Sequence, residues 1–367
     1  MINDRPMIED NDKILASGTN HVRPASDPPR HVWILDEGSQ GHLVQSRGML
    51  RELAKAVPLE VVEVRIHCAL TGRIGRSLVK KMLRLHRRKW LFRCLHPQMK
   101  LPETKPDLIV SSGPHSLAAL EFLAYHHKCP SVFVQGTIAV PEGAVTAVMR
   151  PFEGERREDY IFIPLLFTEI TVESVREAGE VCLKQNAVRP QGPINALFIG
   201  NSSAKIRFSQ EDWDGIIRFV NAVWQSDGTQ WLITTSYRTG SQLEDRFRRG
   251  INPDAILEAV WYSEAPRKVT KEYLGMADRV FVTMDSLTML TEAIASGRPT
   301  CALCPAEQHE DPSNTHLRYV RDLAANGLIT RIEARNAAVS PSMPPTTSGI
   351  DYSGPIRQLM ARIQWNP

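Results

Sequence analysis

The sequence predicts a two-domain α/β protein, in which two Rossmann-like, doubly wound halves face each other across a ligand cleft. Three observations predict it. The chain has 367 residues, more than one hydrophobic core usually serves. Short apolar runs alternate with amphipathic stretches at the spacing of strand–helix units, which makes a parallel sheet with helices on both faces. The alternation breaks at a Pro/Gly linker, V-R-P-Q-G-P-I-N (188–195), and then starts again.

In chain order, residues 1–28 carry many Asp, Asn, Ser and Pro and no periodicity, and read as a disordered arm. The first domain, 29–185, opens with the strand H-V-W-I-L (31–35), a Gly-rich turn and a helix from Ser46 to Ala56. Strands follow at L-E-V-V-E-V-R-I (59–66), D-L-I-V-S (107–111), S-V-F-V-Q (131–135) and D-Y-I-F-I-P (159–164). The third is backed by a helix from Ser116 to Tyr125, and a helix over 171–184 closes the domain. The second domain, 186–340, has strands at A-L-F-I-G (196–200), Q-W-L-I-T-T (230–235), A-V-W-Y (259–262), R-V-F-V-T (279–283) and T-C-A-L-C (300–304). Helices fall between them at Gln210–Trp224, 241–249, Thr270–Met276 and Ser286–Ser296. The tail, 341–367, is rich in Pro, Ser and Thr and ends in a short helix, Ile356–Gln364, of the kind that returns to the first lobe.

Composition narrows the function. Hydrophobic residues are 42% and charged residues 23%, ordinary for a globular protein, and a net charge of +3 does not indicate a nucleic-acid binder. No apolar run reaches the roughly 18 residues of a membrane span, and the polar N-terminus lacks an apolar signal core. The expectation is a cytoplasmic protein whose six cysteines are free thiols; the lone C-x-x-C, Cys301 and Cys304, has no second pair, so no metal is assigned.

In doubly wound sheets ligands bind beyond the carboxyl ends of the strands, and five constellations fall there or bear on it. D-E-G-S-Q-G-H (36–42) offers Asp36, Glu37 and His42 as acid/base groups in a loop that its glycines bend towards a helix N-terminus. His42 is the first candidate for the base, with Asp36 or Glu37 to orient it or replace it, and His115 in S-S-G-P-H-S (111–116) the next. G-N-S-S-A-K (200–205) presents Gly200, Asn201, Ser202 and Ser203, which also read as an ordinary helix cap. T-T-S-Y-R-T (234–239) gathers Thr235, Ser236, Thr239 and Arg238, an arginine suited to phosphate. V-T-M-D-S-L-T-M-L-T-E-A-I-A-S-G-R-P (282–299) is the most specific: Asp285 and Ser286 form a turn, and the N–H groups of Ser286, Leu287, Thr288 and Met289 open a helix towards a diphosphate. Glu292, two helical turns on, can accept from a ribose diol. The fifth, residues 73–93, sets Arg73, Arg76, Lys80, Lys81, Arg84, Arg87 and Arg88 against an apolar face ending in Trp90 and Phe92. It suits an anionic membrane surface, or else packs its apolar face on the sheet.

These motifs, over about residues 31–330, resemble the family of plant mitochondrial-fission factors, the "elongated mitochondria" protein and its bacterial relatives. The resemblance rests on D-E-G-S-Q-G-H-L-V-Q (36–45), P-D-L-I-V-S-S-G (106–113), F-I-G-N-S-S (198–203), T-T-S-Y-R-T and the 282–299 stretch. It implies a GT-B-like fold and a nucleoside-diphosphate-sugar enzyme, or a non-catalytic adaptor at a membrane. Two positions depart from the family: His42 stands where Asn is usual, and Ser236-Tyr237-Arg238-Thr239 where S-R-R-T is usual. The first departure makes G-S-Q-G-H similar to the first loop of the lipid-II-forming GlcNAc transferase. The expectation is a glycosyltransferase with a nucleotide-sugar donor in the second domain and a lipid-linked or glycan acceptor of the cell envelope in the first. No further cofactor is called for, because helix N-termini and basic side chains can stabilise a leaving diphosphate. The protein is expected to lie peripherally on the inner face of the inner membrane through 73–93. A nucleotide-sugar epimerase is the other enzyme such a fold allows.

Overall fold

The computed structural model describes residues 28–66, 92, 99–134, 140–151, 157–185, 192–203, 206–307, 314–337 and 341–365. The first half runs β1 (Arg30–Asp36), α1 (Gln40–Ala54), β2 (Leu59–Arg65), β3 (Leu108–Ser111), α2 (Leu117–His127), β4 (Ser131–Val134), β5 (Ala147–Arg150) and β6 (Tyr160–Phe162). After α3 (Val172–Gln185) come β7 (Ile194–Ile199), α4 (Gln210–Asp227), β8 (Gln230–Thr235), α5 (Ser241–Gly250), β9 (Ile256–Val260) and α6 (Thr270–Met276). Then follow β10 (Arg279–Thr283), α7 (Leu287–Ala295), β11 (Thr300–Cys304), α8 (Thr315–Ala325), β12 (Thr330–Glu333) and α9 (Ser353–Arg362).

The strands form two parallel sheets of six among the described residues. Spatial order is β2-β1-β3-β4-β5-β6 in the first and β9-β8-β7-β10-β11-β12 in the second. The chain starts each sheet in the interior and winds outwards in both directions. This creates a switch point between β1 and β3 and another between β7 and β10, where a crevice opens at the strand ends. The central strands are covered on both faces, so β3, β7 and β11 are buried along their whole length, whereas edge strand β2 is largely exposed. Helix α4 is delimited by its own sequence. Ser209 and Asp212 cap its start reciprocally, and Gly228 ends it in the left-handed region at φ 72°.

Two strands are not visible in the apolar runs. β5 is A-V-M-R and β12 is T-R-I-E, four residues each, and β12 is an edge strand with charges on alternate positions. The helix after β1 starts at Gln40 instead of Ser46. Residue Ser39 gives it no side-chain cap and Gly41 lies in its first turn, so the usual start signals are missing.

A single apolar core runs through both halves, from Val32 and Met49 to Val280 and Leu303. A smaller cluster on the other face of the first sheet holds Trp33, Ile109, Phe122 and Phe133. Phe92 belongs to that cluster, stacked on Phe122 at 3.8 Å and 3°. This corrects the membrane reading at that residue: its ring is spent on the core. The rest of 73–93 lies outside the described residues. Among those described, no helix is long and apolar enough to cross a membrane.

The halves are tied in three places. Helix α3 packs on α6 of the second half, where Gly179 and Gly275 let the backbones touch; a Cβ on Gly275 would run into the Val175 carbonyl. The tail runs along the second half, where Thr347 N–H bonds Gly297 O at 3.0 Å, and then α9 packs on α1 and β6. There the Tyr352 hydroxyl donates to Leu166 O at 3.2 Å, and Arg30 lies over the Trp365 ring at 5.5 Å. Finally, the Leu166 N–H donates to the Tyr319 hydroxyl of α8 at 3.1 Å.

Candidate active site

At the first switch point, β1 ends in Asp36 with Glu37 just after it, and the Ser112–Ser116 turn follows β3. Glu37 folds under that turn. One carboxylate oxygen accepts the N–H groups of His115 (2.8 Å) and Ser116 (3.0 Å), which are free because α2 starts there. The other is 2.6 Å from His42 Nδ1. A carboxylate so engaged only accepts, so the proton of this contact sits on Nδ1 and Nε2 is left to take another. The Glu37 side chain is 5% exposed and that of His42 27%, so the acid is sealed in and the imidazole reaches out. Gly113, at φ +103°, covers the pair; a Cβ there would collide with Glu37 and His42 Nδ1.

The sequence candidates separate here. Glu37 and His42 come together, with His42 in the first turn of α1 instead of in the loop. Asp36 is not brought to the imidazole. It pairs with Arg65 of β2 and accepts the Gly38 N–H at 2.7 Å. His115 contributes its backbone N–H to Glu37.

At the second switch point, Ser286 caps α7 by accepting the Met289 N–H at 3.4 Å. Leu287 and Thr288 form the first turn. Asp285 lies just before the cap with its side chain fully buried. It accepts the Asn201 N–H at 3.0 Å and pairs with Arg238 at 2.8 Å, while its buried Oδ1 has no hydrogen-bond partner among the described residues. Burial pushes its carboxyl above the usual range, and the Asn201 N–H, the Thr283 hydroxyl and Arg238 hold it back. Gly200 is required beside it, since any Cβ would strike the carboxylate.

Most of the hydroxyl and amide groups expected to meet a ligand are instead spent on joining loops. Asn201 Nδ2 donates to the carbonyls of Arg238 and Thr239. Thr239 donates to Gly200 O at 2.8 Å. Ser202 accepts from Phe208 N–H and Ser203 from Ile206 N–H. Ser236 accepts the Arg238 N–H at 3.3 Å. Thr235 is buried and donates to Glu244 at 2.6 Å. Glu292 is not a plain carboxylate at neutral pH: burial, and then the Glu169 charge, push it up to about 7 against the opposing effect of Lys271. Cys301 and Cys304 are buried in β11, and burial raises both thiols, Cys301 to about 12. Among the described residues no group of three or more His, Cys, Asp or Glu is placed to hold a metal ion.

Sequence reasoning missed Gly113 and Glu244. Gly113 was marked only by its Gly-Pro turn. Glu244 sits in a helix so charged that one more carboxylate looked solvated, yet it is 1% exposed.

The two sites meet. A Cβ on Gly41 of α1 would lie 3.4 Å from the Thr288 hydroxyl of α7, so the N-termini of the two helices face each other across the seam, with His42 beside it. Two parallel Rossmann-like sheets with their switch points opposed define a two-domain α/β protein of the GT-B-like class. The model of the mitochondrial fission ELM1 family matches residues 40–348, and the chain belongs to that family. No curated protein matches the sequence. Several solved structures are similar to the chain at low identity. The Staphylococcus aureus MnaA–UDP co-structure is 10% identical, with a TM-score of 0.50 over 84% of this chain and 85% of that one. A Listeria monocytogenes protein described as a UDP-N-acetylglucosamine 2-epimerase is 10% identical, with a TM-score of 0.50 over 92% and 96%. The glycotransferase of kitacinnamycin is 12% identical, with a TM-score of 0.49 over 92% and 96%.

Proposed function

We propose that the chain is a glycosyltransferase that moves a sugar from a nucleotide-sugar donor to a lipid-anchored glycan acceptor. The observation that carries this reading is the Glu37–His42 pair set against the N-terminus of α7. A carboxylate-oriented imidazole is a general base, and a helix N-terminus favours a phosphate. In the reaction, His42 Nε2 takes the proton of an acceptor hydroxyl while Glu37 stabilises the imidazolium through Nδ1. The hydroxyl oxygen bonds to the anomeric carbon, and the bond from that carbon to the diphosphate oxygen breaks. The N–H groups of Leu287 and Thr288 receive the charge that departs. Arg238 has donors left after Asp285 takes one and can share in this. The lipid-anchored acceptor and attachment to an anionic membrane surface rest on the first-loop resemblance and on the charge pattern of 73–93.

The test is turnover of common nucleotide sugars with lipid-linked acceptors, beside calorimetry of UDP binding. His42→Ala should lower the rate by about 10²–10⁴ while UDP affinity holds. Full turnover in that variant would remove the base assignment. The pairing of Arg238 with buried Asp285 favours a second reading, because part of that arginine's charge is already engaged within the protein. That reading is a non-catalytic adaptor, and absence of any nucleotide binding by the wild type would select it. An epimeric nucleotide sugar made without acceptor would assign an isomerase instead.

A further inference from the structure

Tyr237 is 74% exposed and Tyr262 45% exposed. Single exposed aromatics are common on protein surfaces and need no account. These two are different because their rings meet, with centroids 6.4 Å apart and planes at 64°, and so form an open corner. We propose that this corner is a binding site for a planar nucleobase, at the end of the nucleotide opposite the phosphates. The inference rests on the nucleotide reading above and adds the residues that recognise the base.

The corner is held from below. The Thr235 hydroxyl accepts the Tyr262 N–H at 2.8 Å and donates to Glu244 at 2.6 Å. Glu244 also accepts the N–H of Ser263 at 3.2 Å and its hydroxyl. On the other side, the Ser236 N–H bonds Thr239 Oγ1 at 2.9 Å, and Thr239 is tied to the end of β7. The loops after β8 and β9 are thus laced together by buried groups, which fixes the backbone that presents the two rings. A tyrosine has only two side-chain torsions, so it loses little conformational freedom when a ligand stacks on it.

The position fits as well. Tyr237 follows β8 and Tyr262 follows β9, the two strands beyond β7 from β10. With adjacent strands about 4.8 Å apart, the ends of β8 and β9 lie roughly 10–15 Å from the end of β10, where α7 begins. A nucleoside diphosphate laid across the strand ends spans such a gap, with its phosphates on α7 and its base on the tyrosines. Arg238, next to Tyr237 and 2.8 Å from Asp285, bridges the interval. Stacking of bases on aromatic rings is strong and tolerant of base identity, so the corner supplies affinity for the nucleoside more than choice among bases.

The experiment is calorimetry on the full chain with UDP, ADP, GDP and inorganic pyrophosphate. The proteins are the wild type, Tyr237→Leu, Tyr262→Leu and Tyr237→Phe. Each Leu variant should weaken the best-bound nucleotide about tenfold or more, leave pyrophosphate unchanged and retain the wild-type melting temperature; the Phe variant should keep nucleotide affinity. Leu variants that bind nucleotide like the wild type overturn the corner while the nucleotide reading stands. So does an equal loss for pyrophosphate, which would mean that the loops have moved. A wild type that prefers no nucleotide over pyrophosphate also overturns it. A wild type that binds none of the four ligands removes the nucleotide reading, and the corner falls with it.

Discussion

Gly113 has no functional group, yet it fixes the distance between the acid and the imidazole. Only a glycine adopts its φ of +103° without strain, and only a glycine leaves room for Glu37 and His42 to touch beneath it. Gly113→Ala should therefore act on the Glu37–His42 contact directly. Turnover is expected to fall by about 10²-fold or more, as for loss of a positioned base, with UDP binding at the other half intact. An alanine variant with normal turnover would show that the pair takes no part in the reaction. Glu292 makes a different prediction. Its carboxyl is near 4.5 when unfolded and about 7 when folded, so folding favours the protonated form. That contribution is complete below about pH 4.5 and drains away as pH rises through 7, at ~1.4 kcal/mol per pH unit in between. Urea midpoints should accordingly fall from about pH 5 to pH 8 in the wild type. Glu292→Gln should flatten the profile and be the more stable protein at pH 8 relative to its own value at pH 5; parallel profiles would contradict the assignment.

Among the elements, α3 and α6 pack backbone against backbone, and two glycines permit it. Gly275→Ala forces a Cβ into the Val175 carbonyl and should cost about 1–3 kcal/mol, read as a lowered urea midpoint with an unchanged slope. No change would mean that the helices separate freely. This contact also shows what the sequence could not reveal. The apolar runs identified ten strands and their parallel arrangement, because a buried parallel strand is written as a short block of Val, Ile and Leu. β5 and β12 carry too few such residues to stand out. The early start of α1 was hidden because Ser39 does not cap it. At the site, residue type located the strand ends correctly but not the partners. Thr235, Thr239 and Asn201 have the chemistry of ligand donors, and only the structure shows that neighbouring loops consume it. Conversely, the joining of Glu37 to the turn after β3 spans 78 residues, and no local pattern encodes it.

In the whole molecule, the first stretch of chain does not stay in the first half. Its last helix, α3, lies on α6, and the tail pays the debt back by placing α9 on α1 and β6. Among the described residues the chain therefore passes between the halves twice, once near Leu166 and again near Tyr352. These two passages are bonded to each other, with the Tyr352 hydroxyl on Leu166 O and its ring stacked on Phe167 at 4.6 Å. A single tether would let the halves swivel in any direction. Paired tethers that grip one another, above an apolar core shared by both halves, remove that freedom, so the spacing between the acid–imidazole pair and α7 is written into the fold itself.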